Sequence, residues 1–247
     1  MNDLLSQRMK QYENVSRNFL IKKLPVVIRI DGKAFHSYTR GLKKPFDESL
    51  IACMNLATEE TCKQIQGFKL AYVQSDEISI ILSDLNEIKT EAWFENNINK
   101  IVSVSASLFT GYFNNYESLN GKIAFFDSRA FNLPLHEVEN YIIWRYKDCI
   151  RNSILSVGQS VFSHKELLNK NQLQIKEMLK NKNIDWDNDF SSWEKHGRLF
   201  WKVNGEYHWE DETPDFFKEE TKLKIRNMVL GNYLGNKEDN NNERDSI

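Results

Sequence analysis

At 247 residues with 40% hydrophobic content, the chain can bury the core of one large domain, or of a compact core with an elaborated half. Its 33 Lys+Arg against 35 Asp+Glu give a net charge of −2, which excludes a global basic field that binds polyanions indiscriminately, so any nucleic-acid contact must come from a local patch. The three cysteines, Cys53, Cys62 and Cys149, are odd in number and lack C-x-x-C spacing, which argues against a disulfide framework or zinc site. With no apolar run of about 18 residues, a cytoplasmic protein without a membrane partner is expected.

Residues 2 to 19 carry polar helix formers with sparse apolar positions (Leu5, Met9, Tyr12), predicting a leading amphipathic helix. Leu24-Pro25 opens a strand over Val26 to Ile30, whose nearly continuous apolar content fits burial on both faces. From Pro45, Leu50, Met54, Ala57 and Ile65 recur at helical spacing up to Gly67. Two β-rich runs, "FKLAYVQ" and "ISIILSD", flank Ser75-Asp76-Glu77 and predict a hairpin with acid at its tip.

A helix is predicted over roughly Glu91 to Tyr112, and "KIAFFDSRAF" reads as a strand ending in Asp127 and Arg129. Strand, helix, two strands, helix, strand is the βαββαβ order of a ferredoxin-like, polymerase-type palm, an α+β fold whose strand ends crowd onto one rim. After Pro134 a long helix carries the stripe Ile143, Tyr146, Ile150, Ile154, Val157 and Val161, with Arg145, Asp148, Asn152 and Gln159 almost opposite. Ser163 to Glu166 fits a capping box, "QLQIKEMLK" a short helix, and "RLFWKVNGEYHW" a hairpin around Asn204-Gly205. Residues 1–135 are thus expected to form a palm-like catalytic core, and 136–236 a helical extension with a hairpin in the same compact unit. Residues 237–247 are expected to form a disordered tail.

If the first strand and the hairpin are neighbours, Asp31 and Asp76 end at one rim, where mutual repulsion invites a divalent cation. Mg²⁺ needs only a few carboxylate oxygens plus phosphate and water, so two acidic strand ends suit a phosphoryl-transfer site with two ions. Gly32 can turn sharply and offer its carbonyl to a cation or its amide to a phosphate. In the following "KAFH", Phe35 reads as core or as a stacking surface, and His36 as surface or as a polar contact. Lys100, Arg129 and Arg145 each read as a solvated charge or as a ligand for an anion.

Two motifs, "RIDGKAFHSYTRGLKKPFD" and "AYVQSDEISIIL", together resemble the tRNA(His) guanylyltransferase family, and the likeness extends through "NKIVSVSASLF", "FDSRAF" and "YIIWRYKDCIRNS". The resemblance implies a polymerase-like palm adding nucleotides to tRNA 5′ ends in the 3′-to-5′ direction, by ATP-dependent 5′ adenylylation and attack of an incoming NTP. It implies catalytic Asp31 and Asp76 with Glu77 in support, and two Mg²⁺ on Asp31, the Gly32 carbonyl and Asp76. ATP and GTP or other NTPs would lie against Asp31, Gly32, Lys33, Ala34, Phe35, His36, Ser75 and Asp76, with Lys44, Lys100 and Arg129 on phosphate. Arg145, Asn152, Lys195 and Arg198 are candidate tRNA contacts, and a homo-oligomer, commonly a tetramer, is implied.

Where eukaryotic guanylyltransferases carry H-I-N-N-L-Y-N this chain reads "CIRNSIL", with Cys149 at the histidine position and only Asn152 retained. That places it nearer the Thg-like branch, which repairs 5′-truncated tRNAs by copying the opposite strand of the acceptor stem. The rivals are addition of a single G to tRNA(His), and a non-catalytic RNA- or nucleotide-binding palm module. Intact Asp31, Asp76 and Glu77 weigh against the module.

Overall fold

A computed structural model of the chain describes residues 3–86, 89–116 and 119–231; the tail expected from residue 237 lies outside the described residues. Helix α1 (Leu4–Asn14) is shorter than predicted and buries none of its residues. Strand β1 (Val26–Gly32) follows, then a single helical turn α2 (Phe35–Tyr38) and helix α3 (Glu48–Lys63). Asp47 starts α3 by accepting from the Leu50 amide at 2.9 Å, which satisfies one of the helix's open N–H groups. Gly67, at φ +80°, turns the chain into β2 (Phe68–Gln74), which pairs with β3 (Glu77–Leu82). Glu77 lies in β3 opposite Gln74, so the turn between the strands is only Ser75-Asp76.

Helix α4 (Ile98–Asn115) starts seven residues later than predicted at Glu91, because Phe94, Glu95 and Asn96 all take positive φ and Asn97 caps the helix by accepting from the Lys100 amide at 3.1 Å. Strand β4 (Phe126–Asn132) also begins late. The Asn114 side chain takes both the amide and the carbonyl of Ala124, at 2.8 and 2.9 Å, so that segment has no ladder to join. Asp127 and Arg129 therefore sit inside the strand rather than at its end. The long helix α5 (Val138–Val161) leads through α6 (His164–Leu167), α7 (Gln172–Lys180) and α8 (Ser192–His196) to the hairpin β5 (Arg198–Val203) and β6 (Glu206–Trp209). Asn204 and Gly205, at φ 52° and 89°, make the hairpin turn that the Asn-Gly pair predicted. Helix α9 (Glu219–Leu230), which was not predicted, closes the described chain.

The six strands form one antiparallel sheet in the order β4-β1-β3-β2-β5-β6. Side chains alternate along each strand, and both faces are covered. On one face Ile28, Ile30, Val73, Ile78 and Ile80 pack with Met54, Ala57 and Phe109 of α3 and α4. On the other, Val27, Leu70, Tyr72 and Ile81 pack with Ile142, Tyr146, Ile225 and Val229 of α5 and α9. Val27, Ile28 and Ile30 are fully buried, each contributing about 1.5–3 kcal/mol relative to exposure, which explains an apolar run interrupted only by Arg29. Among the described residues no helix is long and apolar enough to cross a membrane.

Candidate active site

The sheet register brings three acids into one row at the rim, with Asp31 of β1 directly opposite Glu77 of β3 on one side and Asp127 of β4 on the other. A fourth, Asp76, lies at the hairpin tip, where its carbonyl accepts from the Gly32 amide at 3.1 Å. A β-carbon on Gly32 would fall 2.3 Å from Cδ2 of Phe35 and 2.8 Å from Oδ2 of Asp76, so only glycine lets the Asp76 carboxylate close over the strand end. Burial pushes Asp76 up to about 6, and the charge of Asp31 acts in the same direction. Like charges held this close favour a cation between them.

Among the described residues no group of three or more His, Cys, Asp or Glu side chains is arranged to hold a metal ion. Two carboxylates that leave positions open are the donor set of an ion completed by ligand phosphates and water, as Mg²⁺ prefers. The residues present fit Mg²⁺ in that sense.

Glu77 faces α5 and is held there. Arg145 donates to it from Nε at 2.7 Å and Nη2 at 2.9 Å, while Gln74 donates at 3.2 Å and Arg29 stands 4.0 Å away. Arg145 also reaches Asp148 at 2.7 Å and stacks its guanidinium 4.5 Å from the Trp144 ring. With side chains only 7% and 12% exposed, Arg145 and Glu77 form a buried fork-to-fork pair beside the acidic row. The Arg145 side of α5, predicted to be its polar face, is therefore turned inward at this point.

Next to the rim lies a cavity of about 410 Å³, within the range of small-molecule sites, between the 39–47 loop, α5 and α8. It gathers five of the predicted residues, His36, Lys44, Ser75, Asn152 and Arg198. The loop is fixed by Asp47, which accepts from the Lys43 amide at 3.0 Å, and by Ser156 Oγ, which donates to the Pro45 carbonyl at 3.0 Å. Arg198 is buried, and desolvation lowers it to about 10. It lies on the cavity wall rather than on the exposed surface.

The remaining predicted residues fall elsewhere. Phe35 is buried among Tyr38, Phe113 and Phe126, at centroid distances of 4.8, 5.9 and 5.3 Å, and supports the rim from beneath. Lys33 is exposed with its amide bound to the Phe125 carbonyl at 2.8 Å, and Ala34 takes φ 51° at the turn into α2. Arg129 is exposed on β4, paired with Asp127 at 3.3 Å. Lys195 donates to the Asp187 carbonyl at 2.5 Å. Lys100 belongs to the first turn of α4, whereas Phe113 near the other end packs on Phe35. Thirteen residues of helix separate them by roughly 20 Å, so Lys100 is not brought to the rim.

Three residues at the site were not singled out from the sequence. Asp127 could have been found by pairing its strand with β1. Arg29 could have been found by its two-residue step from Asp31 onto the same face. Trp144, whose ring lies 6.0 Å from the Arg29 guanidinium, gave no signal.

A family model described as tRNAHis guanylyltransferase matches residues 6–134, slightly more than half of the chain. A tRNA(His) guanylyltransferase of Schizosaccharomyces pombe is 34% identical over 154 residues, 59% of this chain and only 56% of the yeast protein's length. A bacterial tRNA(His) guanylyltransferase-like protein solved in complex with ATP superposes with a TM-score of 0.84 at 40% identity, over 91% of this chain and 99% of that one. A structure of such a bacterial protein in complex with GTP gives 0.79 at 37% identity, over 92% and 99%. On its motifs, its antiparallel sheet and these matches, the chain belongs to the tRNAHis guanylyltransferase family.

Proposed function

We propose that this protein is a 3′-to-5′ nucleotidyltransferase that extends the 5′ end of truncated tRNA, copying the opposite strand of the acceptor stem on a polymerase-type palm. The observation that carries the proposal is the closure of the Asp76 carboxylate over Gly32, the residue after Asp31, with the adjoining Ser75 on the wall of a cavity large enough for a nucleotide. The bacterial relatives bound to ATP and GTP support the same reading.

Asp31, Asp76 and the Gly32 carbonyl are the groups that would hold Mg²⁺. Bound there, the ions would neutralise phosphate charge and lower the barrier to in-line displacement. His36, Ser75 and Lys44, on the cavity wall, would orient the triphosphate; Arg129, a phosphate ligand by the resemblance, lies two residues along β4 from Asp127. Glu77, fixed by Arg145, acts by holding the hairpin in register beside Asp31 and not by touching substrate. The RNA 5′-phosphate is first adenylylated by ATP, releasing pyrophosphate; the 3′-hydroxyl of an incoming NTP then attacks that phosphorus and AMP leaves. Assembly as a homo-oligomer, the tetramer implied by the resemblance, belongs to the same proposal.

Addition of a single G to tRNA(His) is a second reading, favoured by the name of the yeast relative. Purified protein with Mg²⁺, ATP and NTPs is offered a tRNA lacking its first 5′ nucleotide and a full-length tRNA(His) lacking the extra G. Extension of the first to a flush stem supports repair, and preference for the second supports the rival. Extension of neither, with no ATP consumed on a 5′-monophosphate end, overturns both. Asp31→Asn and Asp76→Asn are each expected to reduce incorporation by at least about 100-fold while keeping a cooperative melt; full activity in either variant removes that residue from the site.

A further inference from the structure

Trp144 is 54% exposed, although its neighbours on α5 are buried or partly buried. A Trp side chain is large and on average well buried, so one left in water on a rigid helix marks a contact surface. The ring is supported from beneath. The Arg145 guanidinium lies over it at 4.5 Å and that of Arg29 at 6.0 Å, while Tyr141 meets it edge to face at 5.8 Å and shares a 2.9 Å hydrogen bond with Ser79. Because Arg145 is itself locked to Glu77 and Asp148, the ring is held in place before anything binds. Trp186, Trp193 and Trp209 spend their indole N–H groups inside the protein, at 3.0, 3.2 and 3.3 Å, whereas that of Trp144 has no protein acceptor among the described residues.

The ring stands beside the acidic row. Arg29 lies two residues from Asp31 on the same face of β1, about 7 Å along the strand. It is also directly opposite Arg129 of β4, and like charges facing each other across a ladder are unfavourable unless anions offset them. Arg129 leans on Asp127 at 3.3 Å; among the described residues Arg29 has only the Glu77 carboxylate, 4.0 Å away and already held by Arg145. An exposed, pre-set aromatic ring with under-compensated cations behind it is the combination that unpaired nucleic acid binds, with a base on the ring and phosphate near the cations.

Stacking also suits what copying requires. A site that hydrogen-bonds a base edge selects one base, whereas a ring stacked on its face accepts all four and leaves the pairing edge free. We infer that Trp144 is the stacking platform for the unpaired base that a truncated acceptor stem leaves opposite its missing 5′ nucleotide, held with its pairing edge open to the incoming NTP. The inference rests on the proposed templated extension and assigns the residue that holds the template.

The test uses two tRNAs with a 5′-monophosphate and 2-aminopurine at the same position of the 3′ strand, one lacking the opposing 5′ nucleotide and one with the pair intact. With Mg²⁺ and no NTP, the full chain should quench 2-aminopurine in the truncated tRNA and leave the paired one unchanged. Trp144→Leu should abolish most of the quench and weaken binding of the truncated tRNA about tenfold, with the complete tRNA bound within about twofold of wild type. Trp144→Phe, which keeps a ring, should retain the quench. A wild type that binds the truncated tRNA without quenching overturns the inference, whether or not the variants fold. A quench that survives in Trp144→Leu overturns it too, as do equal losses on both tRNAs, or a fall in molar mass by light scattering that would make the ring a contact between copies. Binding of neither tRNA by the wild type would overturn the proposed function along with the inference.

Discussion

Gly32 is the position where one methyl group does the most damage, because its Cβ would meet the Phe35 ring and the Asp76 carboxylate at once. Gly32→Ala should destabilise the fold by about 1–3 kcal/mol and displace Asp76 from the rim, read as a lower urea midpoint together with lost incorporation; an unchanged midpoint would contradict the packing described. Asp76 has a raised carboxyl pKa, so in protein stripped of cations its folded form holds a proton that the unfolded chain has given up. Stability should therefore fall as pH rises from 3.8 to about 6 and stay low above it. Asp76→Asn removes that slope, and in EDTA it should melt above wild type at pH 8 but not at pH 4; equal melting differences at both values would refute the assignment. Asp31, Gly32 and Asp76 were legible from sequence because acid, glycine and turn chemistry sit next to apolar runs. Phe35 was not resolved, since a lone aromatic serves a core or a ligand equally well until its neighbours Tyr38, Phe113 and Phe126 are known.

Elements were read well where periodicity and caps agreed, and poorly where a distant side chain decided. The β2–β3 hairpin and the Asn204-Gly205 turn follow directly from local chemistry. The starts of α4 and β4 depend on positive-φ residues before Asn97 and on the Asn114 side chain bound to Ala124, neither of which periodicity detects. Helix α5 is the clearest case. A stripe of apolar residues predicted Arg145 outside, yet Glu77, 68 residues away in sequence, draws it in. Removing one member of such a buried pair leaves the other charge dry. Arg145→Met should accordingly cost about 3–5 kcal/mol in chemical denaturation, while the double variant Arg145→Met with Glu77→Gln should recover a large part of it. A single-variant loss below about 1 kcal/mol would mean the pair is solvated. Gly197, at φ +77° with a would-be Cβ 2.7 Å from Tyr72 Oη, is a second such corner, where Ala should lower the melting point of β5 and the cavity together.

At the scale of the whole molecule, the chain beyond residue 135 completes the sheet. Strand β5 pairs with β2 from Arg198 to Trp201, and α5 and α9 cover the face that bears Val27, Leu70, Tyr72 and Ile81. A fragment of residues 1–135 would expose that face, so it should give no cooperative thermal transition by circular dichroism; a sharp two-state melt would show that this N-terminal part folds alone. The order of the sheet has one more consequence. Its two outermost strands are β4 and β6, whose free backbone edges are templates for pairing with another molecule. One edge carries Asp127 and Arg129 on consecutive outward positions, and the other is only four residues long with Glu206 and His208 exposed. Charge on one side and brevity on the other guard the protein against strand-to-strand aggregation, so the acid opposite Asp31 protects solubility as well as completing the row at the rim.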